Sequence, residues 1–289
     1  MIYLLGSILC SSFLFIIFKS FGKFKIDLLQ AIVVNYIVAG ALGFALAQYY
    51  NVFRSFNYIY QCDWFVHALL IGLMFISIFT LMGICSQKVG VSITSVANKM
   101  SVVIPVMFGL FFLSDAVTFF KISGIVLSIV ALFLTTSNGK AQVNGNLLVL
   151  PLIIFFASGV LDIFLSYTSK YLVKQDDTIV FTATLFSLAA ILGTCWLLIK
   201  IVIQKNKIQL KNIFAGIILG IPNFASILFV FLGLKATNLD VSVYYPILNI
   251  GIVVLTSIFG LLFFKEKLSP INIIGIILAV GAISLISFL

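Results

Sequence analysis

The sequence predicts an all-α integral membrane protein with ten transmembrane helices, arranged as two inverted five-helix repeats. Composition, long apolar runs and an internal duplication support this prediction. Of the 289 residues, 63% are apolar and only 9% are charged, whereas soluble globular chains are about 45–50% apolar and about 25% charged. The mean hydropathy is +1.28. So few charges cannot cover a water-facing surface, which excludes a soluble enzyme.

The apolar residues form long runs separated by short polar segments. A membrane β-barrel would alternate polar and apolar residues instead. A helix needs about 20 apolar residues to cross a bilayer, and lipid offers no partner for an unpaired backbone amide, so each run is predicted to be a helix. The predicted spans are 2–21, 28–50, 64–86, 90–113, 119–137, 147–168, 178–203, 213–234, 240–264 and 271–288.

The formal net charge of +9 does not indicate a nucleic-acid partner, because the basic residues lie singly or in threes between apolar runs. Placement of positive residues in cytoplasmic loops accounts for such a pattern. The four cysteines show no CxxC spacing, so neither a disulfide framework nor a metal site is expected. No cofactor is expected. The first apolar run has full span length and no charged segment before it, which favours a retained helix over a cleaved signal.

The chain repeats itself after about 150 residues. The segment FTLMGICSQKVGVS at 79–92 aligns with FVFLGLKATNLDVS at 229–242, and four residues recur at an offset of 150. Farther on, Asp115 aligns with Glu266 and Gly124 with Gly275 at an offset of 151. Chance similarity between apolar helices is the alternative. A true duplication gives repeats at 1–137 and 147–288, and five spans per repeat require the second copy to enter the bilayer inverted. Many secondary transporters have this architecture.

Each repeat ends in a small-residue span, an acid in a tight loop and a Gly-rich apolar helix. The two copies read FGLFFLSDAVTFFKISGIVLSIVAL and FGLLFFKEKLSPINIIGIILAVGAI. In this pattern the chain resembles the drug/metabolite transporter superfamily, specifically its EamA-like two-repeat members. The first copy departs from the family pattern, with Asp115 where Glu is more usual and no Ser-Pro. The resemblance implies transport of a small molecule and leaves the cargo open.

The basic residues are distributed unevenly between the two sides of the predicted topology. Loops after the odd-numbered spans carry 11 basic and 2 acidic residues, and the opposite loops carry five of each. The charge distribution therefore predicts that the loops containing Lys25 and Lys207 face the cytoplasm, with both termini outside. Family resemblance favours the opposite orientation, since relatives often have both termini inside.

Lys99 is the candidate site residue with the clearest chemical meaning. It lies about nine residues into the fourth predicted span, in VSITSVANKMSVVIP, which corresponds to a depth of about 14 Å. A lysine at the bilayer centre costs at least about 2.5–3.5 kcal/mol. We expect a cavity-facing cation that recognises an anionic or carboxyl-bearing substrate; a misplaced span boundary or a structural ion pair are the alternatives. The resemblance extends to sugar-phosphate relatives, in which a Lys precedes a Pro in this span, as Lys99 precedes Pro105.

Asp162 is the only acid in the interior of a predicted span, since Asp240 is the first residue of 240–264. It is expected either to reach water near the helix end or to act as a counter-ion for Lys99 or a proton-coupling group. Other polar residues near the predicted repeat interface are candidate substrate contacts, although interhelical hydrogen bonding is the commoner use of such residues. These candidates are Asn98, Ser95, Asn35, Tyr36, Asn223, Tyr244, Tyr245 and Asn249.

The predicted function is a permease of the cell membrane that moves a small-molecule substrate by alternating access, without enzymatic activity. Its expected partners are the substrate and the lipid bilayer, with no nucleic acid; proton or ion coupling and a monomeric or homodimeric state stay open. A lipid-linked-sugar flippase of the same superfamily is the first alternative. A membrane-embedded enzyme is the second, with a Ser–Lys pair formed by Lys99 and Ser95 or Ser101.

Overall fold

The computed structural model describes residues 2–112, 119–136, 147, 149–204, 207–236 and 241–288. Within these ranges the regular structure is helical, as the fold class predicts: besides the α-helices there are a short 3-10 turn at Gln175–Asp177 and 3-10 geometry at residue 147. The helices are α1 (Ile2–Lys23), α2 (Leu28–Tyr49), α3 (Phe56–Gln61), α4 (Phe65–Lys88), α5 (Val91–Met100), α6 (Val103–Phe112), α7 (Phe119–Thr136), α8 (Val149–Tyr171), α9 (Thr178–Gln204), α10 (Leu210–Ala236), α11 (Val241–Phe264) and α12 (Pro270–Phe288).

The protein is a multi-pass membrane protein. Six of the described helices, in α1, α2, α4, α9, α10 and α11, are long and apolar enough to cross a bilayer, and shorter apolar helices lie in α7, α8 and α12. These nine helices overlap nine of the ten predicted spans. The count of ten crossings stays a prediction.

The fourth predicted span is not one continuous helix, and here the sequence-based prediction of 90–113 is wrong. The regular α-helix is interrupted by a turn at Ser101 and Val102, which divides the segment into α5 and α6. Pro105 explains the break: it has no N–H to bond to the Ser101 carbonyl four residues earlier, and its ring would clash with that carbonyl. The Ser101 carbonyl instead accepts a hydrogen bond from Ile104 N–H, with an N···O distance of 2.9 Å.

The short helix α3 was not predicted. It begins after Ser55, whose hydroxyl accepts from Tyr58 N–H at 3.1 Å. The Tyr58 hydroxyl donates to Asp177 at 2.7 Å, and the Arg54 guanidinium lies 4.6 Å from the Tyr58 ring centre. The hydrogen bond to Asp177 raises the pKa of Tyr58 to about 12. These contacts connect the segment after α2 to the start of α9.

The described chain forms two compact units, and each draws on both predicted repeats. Unit 1 comprises Met1–Ser20, Leu81–Val160 and Ala225–Leu289; unit 2 comprises Phe21–Thr80 and Leu161–Phe224. The predicted halves 1–137 and 147–288 therefore contribute helices to both units. Division into those halves stays a prediction about sequence ancestry.

In unit 1, helices at equivalent positions of the predicted repeats pack against each other and run antiparallel. Asn272 near the start of α12 donates to the Thr135 carbonyl at the end of α7, at 2.8 Å. Gly281, nine residues farther along α12, lies opposite Leu127, earlier in α7. The pair α5 and α11 behaves likewise, with Ser95 opposite Thr256 and Ser92 opposite Gly260.

Unit 2 contains a third such pair, α2 and α9. A Cβ atom on Gly40 would lie 3.3 Å from the Ser187 backbone nitrogen, and one on Gly43 would lie 3.1 Å from the Ala183 Cα. The partner residue number falls as the α2 number rises, so these helices are also antiparallel. In addition, Asp27 and Asp177 precede the two helices at an offset of 150 residues. Antiparallel contact between equivalent helices is the geometry that an inverted duplication requires.

Close contact between α2 and α10 makes Gly216 sensitive to substitution. A Cβ atom there would lie 2.6 Å from the Ala31 carbonyl oxygen and 2.5 Å from the Val34 Cβ. We expect Gly216→Ala to force the helices apart and to cost about 1–3 kcal/mol, which thermal unfolding of the purified protein in detergent would detect. Gly281→Ala is the matched control, because its Cβ would meet nothing closer than Leu127 at 3.8 Å. Equal unfolding temperatures for the two variants would contradict the close approach.

Candidate functional site

The helix α5 is a short polar helix in an otherwise apolar chain, and its N-terminus is capped from a distance. Its own N-cap residue, Gly90, provides no side-chain cap. The Glu266 carboxylate takes this role: its Oε1 accepts from Val91 N–H at 2.7 Å, and its Oε2 accepts from the Ser92 hydroxyl at 2.9 Å and from Ser92 N–H at 3.3 Å. A negative charge at a helix N-terminus is favourable, because the terminal N–H groups carry partial positive charge.

Gly90, Gly260 and Lys19 also lie next to the Glu266 carboxylate. Gly90 has φ of +136°, a conformation that is sterically accessible to glycine and rarely to other residues. A Cβ on Gly90 would lie 2.8 Å from Glu266 Oε1, and one on Gly260 would lie 2.5 Å from Oε2. Lys19 lies 3.8 Å from Glu266 Oε1 and donates to the Gln87 carbonyl at 3.2 Å. The carboxylate is only 10% exposed, so these contacts compensate for its burial.

Hydrogen bonds also hold α5 along its length. The Thr256 hydroxyl of α11 lies 2.7 Å from the Ser95 hydroxyl, and both residues are buried. Nearer the C-terminus, the Asn98 amide donates to the Ser158 hydroxyl of α8 at 3.0 Å. These contacts fix the rotation of α5 about its axis, which determines the direction in which its polar side chains point.

Lys99 lies in the last turn of α5 and is half-buried. The helix ends one residue later, at Met100, before the break that precedes α6. Because the last carbonyls of a helix carry partial negative charge, a cation in the last turn is stabilised. The structure therefore places the lysine at the end of a half-helix inside what sequence reasoning treated as a single span.

In unit 2, the structure brings two other predicted residues together. The Asn223 amide of α10 donates to Asn35 Oδ1 of α2 at 3.1 Å, and both side chains are buried. Asn35 Nδ2 has no hydrogen-bond partner among the described residues. A buried amide donor is normally satisfied by protein, water or ligand, so this pair keeps a donor available. Asn223 follows Pro222, which lies inside α10 and leaves one helical carbonyl without its usual donor.

Tyr36 has a structural role in this arrangement. Its hydroxyl donates to the Phe75 carbonyl at 3.0 Å, and its ring is fully buried next to Phe75, Phe79 and Phe186. This contact corresponds to the interhelical hydrogen bond that was the alternative for Tyr36. A direct substrate contact by Tyr36 stays a prediction without support from these contacts.

The structure gives positions for the remaining candidate residues but describes no contact among them. Asn249 in α11 and Asp162 in α8 are half-buried. The backbone of Tyr244 and Tyr245 belongs to α11, and their side chains lie outside the described part of the structure. Lys99 belongs to unit 1 and Asp162 to unit 2. The predicted pairing of these two residues stays a prediction.

Sequence reasoning missed the residues that hold α5 in place. Glu266 was noted only as the acid of the repeated motif, and Ser158 and Thr256 were not singled out. The partners of Glu266 lie 174 and 175 residues away along the chain, so no local pattern indicated them. The available signal was a glycine before a polar helix that had no capping side chain of its own.

Comparisons with known proteins agree with this architecture. The EamA-like transporter family matches residues 145–288. An uncharacterized protein of Haemophilus influenzae is 28% identical over 290 residues, spanning 99% of this chain and 97% of that protein. A solved crystal structure has a TM-score of 0.61 at 14% identity, covering 99% of this chain and 96% of the other, which shows a shared fold. The predicted resemblance is confirmed: the chain is a multi-pass membrane protein that carries an EamA-like transporter family domain at residues 145–288.

Proposed function

We propose that the protein is a secondary transporter that moves a small metabolite across the cell membrane by alternating access. The observation that carries the proposal is the broken fourth span, in which the polar half-helix α5 ends beside Lys99. Discontinuous helices at the middle of the membrane form the substrate sites of many secondary transporters, since their ends expose backbone groups to a ligand. A helix with only a structural role would not need a break, a lysine and several polar residues within one short segment.

The antiparallel contacts between equivalent helices support the transport mechanism. If the repeats are inverted copies, each half can adopt the conformation of the other, which interconverts inward-open and outward-open states. The pairs α2–α9, α5–α11 and α7–α12 all have this relation. The proposal therefore includes ten crossings in two inverted five-helix repeats.

The chemistry around α5 favours an anionic or carboxyl-bearing cargo. The carbonyl end of α5 stabilises the charged form of Lys99, and a cation facing the transport path would select negatively charged groups.

A Ser–Lys hydrolase is less well supported than a transporter. Such an enzyme needs a serine hydroxyl that donates its proton to the lysine. The Ser95 hydroxyl donates to the Ser92 carbonyl at 2.9 Å, and the Ser101 hydroxyl donates to the Asn98 carbonyl at 2.6 Å. These hydrogen bonds go to backbone carbonyls and lend the hydrolase no support.

The function can be tested in two steps. Purified protein is first screened for thermal stabilisation by metabolites, because a ligand that binds only the folded state raises the apparent stability. The best ligand is then offered, radiolabelled, to proteoliposomes preloaded with the same unlabelled compound. Saturable uptake that is accelerated by the internal compound supports a carrier. Non-saturating flux would indicate a channel, chemical conversion would indicate an enzyme, and movement of only lipid-linked sugars would favour the flippase.

The charge distribution yields a separate expectation about orientation. In a background without the four native cysteines, Lys25→Cys and Lys207→Cys should resist an impermeant thiol reagent in intact cells, because their loops are proposed to face the cytoplasm. Asp176→Cys is the matched control, since Asp176 is exposed in a loop predicted to lie on the opposite side. Labelling of both lysine-loop positions with protection of the control would reverse the assignment.

A further inference from the structure

Four exposed lysines lie together at one end of unit 2, on the turns that join α1 to α2 and α9 to α10. We define this four-lysine cluster as Lys23, Lys25, Lys207 and Lys211. The turns are connected directly, because Lys211 Nζ donates to the Lys25 carbonyl at 2.9 Å. The loops that contain Lys25 and Lys207 were used above to predict orientation. The preference for positive residues in cytoplasmic loops does not require the four lysines to lie close together.

A hydrogen-bond network beneath the cluster fixes the two turns relative to each other. The Asn212 side chain accepts from Asp27 N–H at 3.1 Å and donates to Gln30 Oε1 at 2.7 Å. The Gln30 amide in turn donates to the Lys207 carbonyl at 3.1 Å. Gln30 and Asn212 are buried. The lysines therefore extend from a preorganised platform, which reduces the entropy lost when they bind a ligand.

Among the described residues of these two turns, lysines outnumber acids. Asp27 is the acid of these turns, and it already accepts from Lys200 at 3.3 Å. The opposite loops of unit 2 differ, since they contain Asp63, Asp176 and Asp177 beside Arg54 and Lys174. Lys25 also has φ of +50°, a conformation that glycine adopts more readily than lysine.

Large apolar side chains surround the charges. Phe24 is 64% exposed, Ile208 59% and Leu210 72%. These residues adjoin helices long enough to cross a bilayer, so the surface lies at the depth where phospholipid headgroups meet acyl chains. Exposed apolar groups beside exposed lysines match a ligand with an anionic head and hydrocarbon chains.

We infer that this surface is a binding site for anionic phospholipid, with the phosphate-bearing headgroup held by the four-lysine cluster and the acyl chains against Phe24, Ile208 and Leu210. Lysine ammonium groups bind phosphate as point charges, and basic residues at the membrane surface attract anionic lipids additively. The site is independent of the transported substrate, so its test does not rely on the proposed function.

The test compares lipids that differ only in headgroup. Protein purified in a neutral detergent is titrated with phosphatidylglycerol or with phosphatidylcholine of identical acyl chains, and bound lipid is counted by native mass spectrometry. We expect phosphatidylglycerol to bind preferentially and its affinity to fall by about tenfold or more when all four lysines are changed to glutamine. Higher salt should weaken the preference, since exposed charges are screened.

The control variant, Arg54→Gln with Lys174→Gln, removes two positive charges from the opposite loops and should keep the preference. A second variant, Lys23→Gln with Lys207→Gln, preserves the Lys211–Lys25 hydrogen bond and should lose part of the affinity even if the fourfold variant fails to fold. Equal binding of both lipids by the wild type, or unchanged selectivity in the Lys23–Lys207 variant, would overturn the proposal. Full displacement of phosphatidylglycerol by millimolar inorganic phosphate would identify a free-phosphate site instead.

Discussion

Lys99→Ala is expected to abolish transport while leaving the protein folded and inserted. The lysine supplies the positive charge of the broken fourth span, and it lies farther from the ends of its predicted span than Lys19, Lys121 and Lys200 lie from the ends of theirs. Loss of the cation removes the electrostatic attraction for an anionic cargo, so uptake into proteoliposomes should fall by about 100-fold or more, equivalent to about 3 kcal/mol or more. The thermal unfolding temperature in detergent provides the measure of folding.

The companion variants distinguish cargo recognition from structural support. Lys99→Arg keeps the charge but presents a planar guanidinium fork, so it should fold normally and transport poorly. Normal transport by Lys99→Met would show that the charge does not recognise cargo. If Lys99→Ala unfolds and the double variant Lys99→Met, Asp162→Leu restores expression, a structural ion pair between the two positions explains the lysine better.

Glu266→Ala is expected to destabilise unit 1 strongly. The change removes three hydrogen bonds to Val91 and Ser92 and the charge near Lys19, and it leaves the N-terminus of α5 uncapped. Hydrogen bonds to a charged group contribute about 1.5–3 kcal/mol each, and they are not additive. We therefore expect a loss of about 2–4 kcal/mol, visible as a lower thermal unfolding temperature in detergent.

Two neighbouring substitutions control for this result. Lys267→Ala alters an exposed side chain one residue away and should change stability by less than about 0.5 kcal/mol. Glu266→Gln keeps the shape but places an amide N–H₂ where one carboxylate oxygen accepts, so it should have an intermediate effect. Comparable stability of the Ala and wild-type proteins would show that the cap is dispensable.

Much of the fold could be predicted from composition and repetition. Ten apolar runs, a shared offset of about 150 residues and an odd number of spans per repeat together implied antiparallel pairing of equivalent helices. The family resemblance rested on the same residues. These features are visible in the sequence because lipid imposes length and polarity on every span, and because duplication leaves the same side chains at corresponding positions.

The site was harder to predict, because its geometry depends on contacts between distant segments. Pro105 was noticed, yet the hydropathy of 90–113 favoured one unbroken helix, since hydropathy does not detect a missing backbone donor. Lys99 was identified by its cost in lipid and Asn98 as its neighbour, but Ser158, which accepts from the Asn98 amide, was not singled out. Tyr36 was proposed as a substrate contact because a polar aromatic in a span permits either role, and only the structure reveals its bond to Phe75.

The Glu266 carboxylate anchors the N-terminus of the short helix α5. Glu266 binds one end, and the turn at Ser101 and Val102 separates the other end from α6. Tilting α5 about its anchored start would require the Thr256–Ser95 and Asn98–Ser158 hydrogen bonds to shift or break. Val91 and Lys99 are separated by eight residue steps, or about 12 Å. A tilt of about 10° would then carry the Lys99 backbone through about 2 Å, enough to make or break a hydrogen bond. Such a tilt would change the surroundings of Lys99 with no rearrangement inside α5 itself.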